Sequence, residues 1–397
     1  MEVGPGYKQT EVGVIPKDWT VEPVGQAFDI RNNLRLPIRQ SVREKMAGPF
    51  PYYGPTGIQG YINEFRVEGE YALIGEDGDH FHKWKQQPMT LLVNGRFNVN
   101  NHAHLLKGTR NITAWFHYYF AHRDLTPYLT KQGAGRLKLT KSVLLQIPCA
   151  IPPTRADQQA IAEALSDADA LIESLEQLIA KKRDLKSGAM QELLTGKKRL
   201  PGFEVKPGYK QTEVGKIPQD WHTDYIDTLA YITTGSRNTQ DRVDDGQYPF
   251  FVRSQTVERI NSYCFDGEAV LTAGDGVGTG KVFHYISGKF DAHQRVYRIS
   301  NFNDRIKGYY FYLYFSNRFY NRIMQMTAKS SVDSVRREMI ARMLIPFPSI
   351  KAEQTAIATV LSDMHAEIAA LEEKLAKART LKQGMMQELL TGRIRLV

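Results

Sequence analysis

The chain has 397 residues, 42% of them apolar, and carries a formal charge of +9. That length suits two or three packed domains, while only two cysteines, Cys149 and Cys264, exclude a disulfide framework and suit a reducing compartment. No apolar run approaches the ~18 residues of a membrane span, and MEVGPGYKQTEV lacks the basic and apolar blocks of a secretory signal, so a cytoplasmic protein with no membrane partner is expected.

The first segment, GYKQTEVGVIPKDW (6–19), returns as GYKQTEVGKIPQDW (208–221); between Glu2–Trp19 and Glu204–Trp221, 15 of 18 positions are identical. Strand-like runs follow at PFPYYG (49–54) and EYALIGEDG (70–78), the second ending in an acidic-Gly turn. An aromatic run, AWFHYYFAH (114–122), precedes a basic stretch. Beyond Pro152-Pro153 a heptad seam begins, with Ile161, Leu165, Ala168, Ile172, Leu175 and Ile179 stepping by four and three. No proline interrupts it, so a helix of about 40 residues and roughly 60 Å is expected, closing near Gly196.

The second half repeats this order with YPFFVRS (248–254), EAVLTAGDG (268–276) and GYYFYLYFSN (308–317). A second seam of Ile357, Leu361, Met364, Ile368, Leu371 and Leu375 then keeps the same steps, and 165–200 shares 22 of 36 positions with 361–396. A period near 200 marks a duplicated domain pair rather than a solenoid. The expected fold is α+β, with similar globular domains at 1–153 and 201–348 and long helices at 154–200 and 349–397. The economical arrangement pairs the two seams as an antiparallel coiled coil with pseudo-twofold symmetry. The alternatives are that each helix caps its own domain, or that pairing is intermolecular.

Motifs for covalent chemistry fail. AGDGVGTGKV (273–282) has Asp275 where a Walker loop needs its first Gly, and Val282 where it needs Ser or Thr. DGEAV (266–270) lacks the Lys of a metal-dependent nuclease core, and IPPT (151–154) lacks the amide and the aromatic of a base methyltransferase. His80-x-His82 and His102-x-His104 have no third ligand at zinc spacing. A non-enzyme that binds no cofactor or metal is expected.

Recognition remains. Basic residues exceed acids by five over 1–153 and by three over 201–348, against none over 154–200 and one over 349–397. Charge clustered in the globular blocks suits phosphate binding. LTKQGAGRLKLTKSVLLQIP (129–148) carries Lys131, Arg136, Lys138 and Lys141, and MTAKSSVDSVRREMIARMLIP (326–346) carries Lys329, Ser330, Arg336 and Arg337. Aligned on Ile147-Pro148 and Ile345-Pro346, Lys131 falls on Lys329 and Lys138 on Arg336. Such basic, Gly- or Ser-rich loops fit the DNA backbone. Asn94, Arg96, Asn98, His102, Arg253, Gln255, His293 and Arg295 have side chains able to read base edges. Each is equally open to a structural hydrogen-bonding role.

The chain resembles the specificity subunit of type I restriction–modification enzymes. The resemblance is carried by the opening phrase of each half, by PYYGPTGIQGYI (51–62), by IPPTRADQQAIAEALSDADALI (151–172) and by the QELLTG closing each helix. It implies two target-recognition domains, each reading half of an asymmetric, bipartite double-stranded DNA site, held apart by the helices. It further implies partners, with one copy of this chain per complex: two modification subunits that methylate adenine with S-adenosylmethionine, and restriction subunits using ATP and Mg. A stand-alone DNA-binding regulator and a coiled-coil interaction scaffold are the rival readings.

Overall fold

The computed structural model describes residues 4–132, 136–203, 207–326 and 334–396. They form two compact units, Met1–Glu176 with Glu373–Val397 (unit 1) and Gln177–Glu372 (unit 2). The division cuts the two long helices, Arg155–Leu193 and Lys351–Leu389, each of 39 residues. Each unit therefore owns one globular part and a portion of each helix.

In unit 1 the repeated phrase makes a hairpin, Tyr7–Thr10 against Gly13–Pro16. Thr20–Pro23 then pairs antiparallel with Pro148–Ile151, tying the start of the globular part to its end. Between them lie two four-stranded sheets. One has the order Ile58–Ile62, Ala47–Tyr53, Arg96–Val99, Val67–Glu68; the other has Asp29–Ile30, Ala103–Lys107, Tyr71–Gly75, Thr90–Val93. The aromatic run forms a helix, Thr113–Ala121, whose Trp115, Phe116 and Phe120 are fully enclosed in the core.

Unit 2 has the same frame. Its hairpin is Tyr209–Thr212 with Gly215–Pro218, and Trp221–Tyr225 pairs with Leu344–Pro348. Here one six-stranded sheet stands in place of two: Tyr231–Thr234, Val296–Ser300, Phe265–Ala273, Phe283–Ala292, Tyr248–Phe251, Val257–Ile260. The strands that unit 1 breaks at Gly69 and Gly95, joined there by a backbone hydrogen bond of 2.9 Å, run on in unit 2 through the facing pair Gly267 and Gly288. The parallel pairing of Asn98 with Tyr52 in unit 1 recurs as Asp291 with Phe250.

Within each unit the two helices run antiparallel. Unit 1 joins Asp169 to Lys382 and Glu176 to Arg379 (2.6 Å), so one sequence number rises as the other falls. Unit 2 joins Lys182 to Glu367 (2.6 Å) and Arg183 to Glu372 (2.5 Å). Exposed ion pairs contribute little; the seams carry the pairing. Ile161, Leu165 and Leu175 in unit 1, and Ile179, Ile357, Leu361 and Ile368 in unit 2, are buried. Ile172 and Leu375 in unit 1, and Leu371 in unit 2, are half-buried. The first helix starts at a capping box in which Asp157 N–H donates to Thr154 Oγ1 (3.1 Å) and Thr154 N–H donates to Asp157 (3.3 Å).

The two repeated phrases are the two sides of one contact. In unit 2, Leu193 and Leu194 from the end of the first helix share a core with Ile217 and Trp221 of the hairpin segment. In unit 1, Leu389 and Leu390 from the end of the second helix share a core with Ile15 and Trp19. Each QELLTG ends in a glycine at φ +68°, Gly196 or Gly392, where a side chain would be strained and its Cβ would lie 2.5 Å from Pro218 or Pro16. In DQQAIA (157–162), Gln158 accepts from Ile112 N–H and donates to Asn111 Oδ1; in its counterpart EQTAIA (353–358), Gln354 accepts from Lys307 N–H and donates to the Arg305 and Pro348 carbonyls.

Candidate nucleic-acid interface

In unit 1, Tyr71–Gly75 and Ala103–Lys107 pair antiparallel and end together. The turn after Gly75 is held there by Glu76 N–H to His102 O (2.8 Å) and Leu139 N–H to Glu76 O (2.7 Å), with Asp77 bridging the backbone of Lys138. Three segments thus meet at one sheet end. Unit 2 builds the same junction: Gly274 N–H to Arg295 O (2.8 Å), Val335 N–H to Gly274 O (2.7 Å), and Asp275 bridging Ser334. Glu76 and Asp77 therefore correspond to Gly274 and Asp275, His102 to Arg295, and Lys138 to Ser334. Aligning on the two Ile-Pro pairs had set Lys138 on Arg336. That register is two residues off, because Ile147 follows the helix Lys141–Gln146 directly, whereas Arg342, Met343 and Leu344 separate the one-residue-shorter helix Arg337–Ala341 from Ile345.

The same turn presents different chemistry in the two units. In unit 1, His102, about half exposed, lies 3.1 Å from the carboxylate of Asp77. Behind it Glu76 gathers Arg35 (2.7 Å), Lys138 (3.4 Å) and His104 (4.0 Å). Burial opposes ionisation of Glu76, but the Arg35 hydrogen bond and the neighbouring cations outweigh it and hold its carboxyl below the usual range. His104 donates from Nε2 to Leu139 O (2.7 Å), which leaves Nδ1 as the acceptor for Asn32 Nδ2 at 2.9 Å; burial lowers its pKa and favours this neutral ring. In unit 2, Asp275 holds two exposed guanidinium groups, Arg253 at 2.9 Å and Arg295 at 3.6 Å. Such forks pair bidentately with guanine or phosphate.

The other expected residues fall into five groups. Asn98 and His293 are enclosed. Asn98 donates to Glu64 O (2.7 Å), and His293 Nδ1 accepts from Arg295 N–H (2.9 Å). In this structure both shape the backbone, which corrects their assignment as base readers: a side chain sealed inside the sheet has no open edge to present. Asn100 makes in unit 1 the bond that His293 makes in unit 2, accepting from His102 N–H at 2.9 Å. Asn94 accepts from Gly95 N–H within its turn (2.8 Å), and Lys138 is drawn to Glu76 rather than to solvent. Accessible residues are Arg96, which pairs with Glu68 (2.9 Å) and lies over the Phe65 ring (4.8 Å), together with Lys141, Gln255, Arg336 and Arg337. Lys131 and Arg136 sit on the antiparallel pair Thr130–Gln132 and Arg136–Lys138. Lys329 and Ser330 lie outside the described residues.

Sequence reasoning missed Arg35, Glu76, Asp77, Asn100 and Asp275. Only the acidic-Gly turns after EYALIG and EAVLTA hinted at them, since both turns close the same strand. Among the described residues, no three His, Cys, Asp or Glu side chains cluster to hold a metal ion. Among them too, no helix is long and apolar enough to cross a membrane.

The family model described as the type I restriction modification DNA specificity domain matches this chain twice, over residues 16–181 and 218–379. The chain is 32% identical to the Escherichia coli type I restriction enzyme EcoDI specificity subunit over 177 residues, which is 45% of this chain and 38% of that one. It is 23% identical to the MjaVIII specificity subunit of Methanocaldococcus jannaschii over 409 residues, 96% of this chain and 94% of that one. Its fold matches the crystal structure of a type I restriction–modification S subunit from M. genitalium with a TM-score of 0.70, at 12% identity and 98% coverage of both chains.

Proposed function

The chain belongs to the type I restriction–modification DNA specificity family, where it is a recognition subunit and not the catalytic one, and from that premise we propose that it reads a bipartite, asymmetric double-stranded DNA site, one half-site per unit. The observation that supports this most is the junction built twice on one frame, with His102 and Asp77 in unit 1 and Arg253, Arg295 and Asp275 in unit 2. A shared scaffold with different exposed donors is what a chain needs to read two different half-sites in one geometry. Arg96, Lys141, Gln255, Arg336 and Arg337 would add base and phosphate contacts beside these, as would the strand residues Lys131 and Arg136.

In this reading the helices set the unread spacer between half-sites, and the chain, one copy per complex in the cytoplasm, docks two adenine-methylating subunits and the restriction subunits. S-adenosylmethionine, ATP and Mg belong to those partners. Gel shifts of the full chain, purified with and without co-expressed modification subunits, test the reading. Sequence-specific retardation that strengthens with the partners is expected. Tight specific binding by the chain alone would favour a stand-alone regulator, and partner capture without DNA affinity would favour a scaffold. The genomic methylation motif with and without the gene identifies the site.

A further inference from the structure

The glycine-rich turn Gly274–Lys281 carries no phosphate-loop signature, yet it has an unusual tip. Val277 is fully exposed, at 102% of its reference area, between Gly276 and Gly278. A single exposed apolar side chain is ordinary on a loose loop, but this turn is braced by hydrogen bonds on both sides of its tip. Thr279 donates its N–H (3.0 Å) and hydroxyl (2.6 Å) to Gly276 O, and the N–H groups of Lys281 and Val282 both donate to Gly278 O at 3.0 Å. The turn is also packed onto the segment bearing Arg253: a Cβ at Gly278 would stand 2.6 Å from Arg253 O, and one at Gly276 would stand 3.9 Å from its Nη1. A rigid turn therefore projects two methyl groups beside the Arg253–Asp275–Arg295 cluster.

We infer that Val277 is a specificity-determining residue of unit 2 that recognises the 5-methyl group of a thymine in the major groove. This rests on the DNA-reading function proposed above and names one part of its target. The thymine methyl is the apolar mark in that groove, and it is read by small apolar side chains. Valine's methyls branch directly from Cβ, too short to wedge between base pairs as longer side chains do in the minor groove. The flanking glycines let the backbone come close enough for so short a side chain to make contact. In unit 1 the position of Val277 is held by Asp79, exposed and charged, so the contact belongs to one half-site only.

The test uses the full chain with its modification partners. Duplexes selected from a random pool give the wild-type consensus, and each thymine in it is then replaced singly by deoxyuridine, which removes only the methyl. One replacement, in one half-site, is expected to weaken wild-type binding about fourfold, the worth of one buried methylene-sized group, while leaving Val277→Gly unaffected; Val277→Ala should fall between. Because the side chain touches only solvent, both variants should keep the wild-type circular dichroism spectrum. Equal effects of deoxyuridine on wild type and Val277→Gly, no sensitive thymine, or a uniform loss by Val277→Gly on every duplex including unrelated ones would each overturn the inference while leaving DNA recognition standing. A wild-type complex that selects no consensus overturns both.

Discussion

Arg199 and Arg395 occupy the same place in the two copies of the closing motif, and their surroundings predict very different costs of removal. Arg199 donates to Glu353 (2.5 and 2.7 Å) and Asp220 (2.9 and 3.1 Å), with side chains only 5%, 1% and 10% exposed. Burial disfavours its charge, but the two carboxylates outweigh that and raise its pKa further, so the guanidinium stays ionised. Arg199→Met would strand two carboxylates, a loss of about 3–5 kcal/mol. For a unit of about 200 residues, at 2–4 °C per kcal/mol, the melting temperature of unit 2 should fall by roughly 6–20 °C. Arg395 pairs with Asp18, and both side chains are about half exposed. Arg395→Met should cost at most about 1 kcal/mol, confined to unit 1. Calorimetry of the full chain, with hydrogen exchange to locate the weakened peptides, reads both numbers. Replacing Glu353 by Leu in the Arg199→Met background should recover part of the loss. Equal destabilisation by the two single variants would refute the claim that burial, not sequence, sets the worth of this arginine.

Burial drives the pKa of His117 down to about 4, so the folded state holds it neutral while an unfolded chain protonates it near 6.5. The stability this gives is complete above about pH 6.5 and is lost as pH falls toward 4; in urea titrations His117→Gln should flatten that acid slope by at most about 3 kcal/mol. Arg253→Ala should relax one base position by about 1–3 kcal/mol, whereas Lys141→Ala should weaken all duplexes alike and reduce the salt slope by about one; selection from random duplexes and binding at several salt concentrations separate the two. Four residues inserted into one long helix add about 6 Å, and methylome sequencing should show a longer unread spacer with unchanged half-sites.

The helices were legible because an unbroken heptad seam of mostly Leu and Ile fixes a helix and the face it buries, though not its partner, and the duplicated ends because their residues are nearly identical. The aromatic runs were not assignable. Trp115, Phe116, Tyr118, Tyr119 and Phe120 surround the helix Thr113–Ala121 with apolar groups, so no periodicity distinguishes helix from strand. The candidate site was harder still. Its arginines and histidines stood out by type, but their exposure depends on which strand face they occupy and which acid waits across the sheet end. His293 and Arg295 are two residues apart, yet one braces a backbone and the other faces solvent. The role of Asp275 emerges only once the strands bring residues 253, 275 and 295 together.

The hairpin of unit 1 is closed by the last turn of the chain: the Tyr7 hydroxyl donates to the carbonyls of Gly392 and Arg393, and Arg395 pairs with Asp18. Unit 2 is one uninterrupted stretch, Gln177–Glu372. On the ribosome, therefore, the unit that is begun first is finished last. Trp19 can meet Trp115 early, but Ile15 and Trp19 lack Leu389 and Leu390 until the second long helix has been made, while unit 2 can complete its core as soon as its own residues emerge. A nonsense mutation shortly before residue 389 would leave unit 2 whole and unit 1 without the residues that close its hairpin.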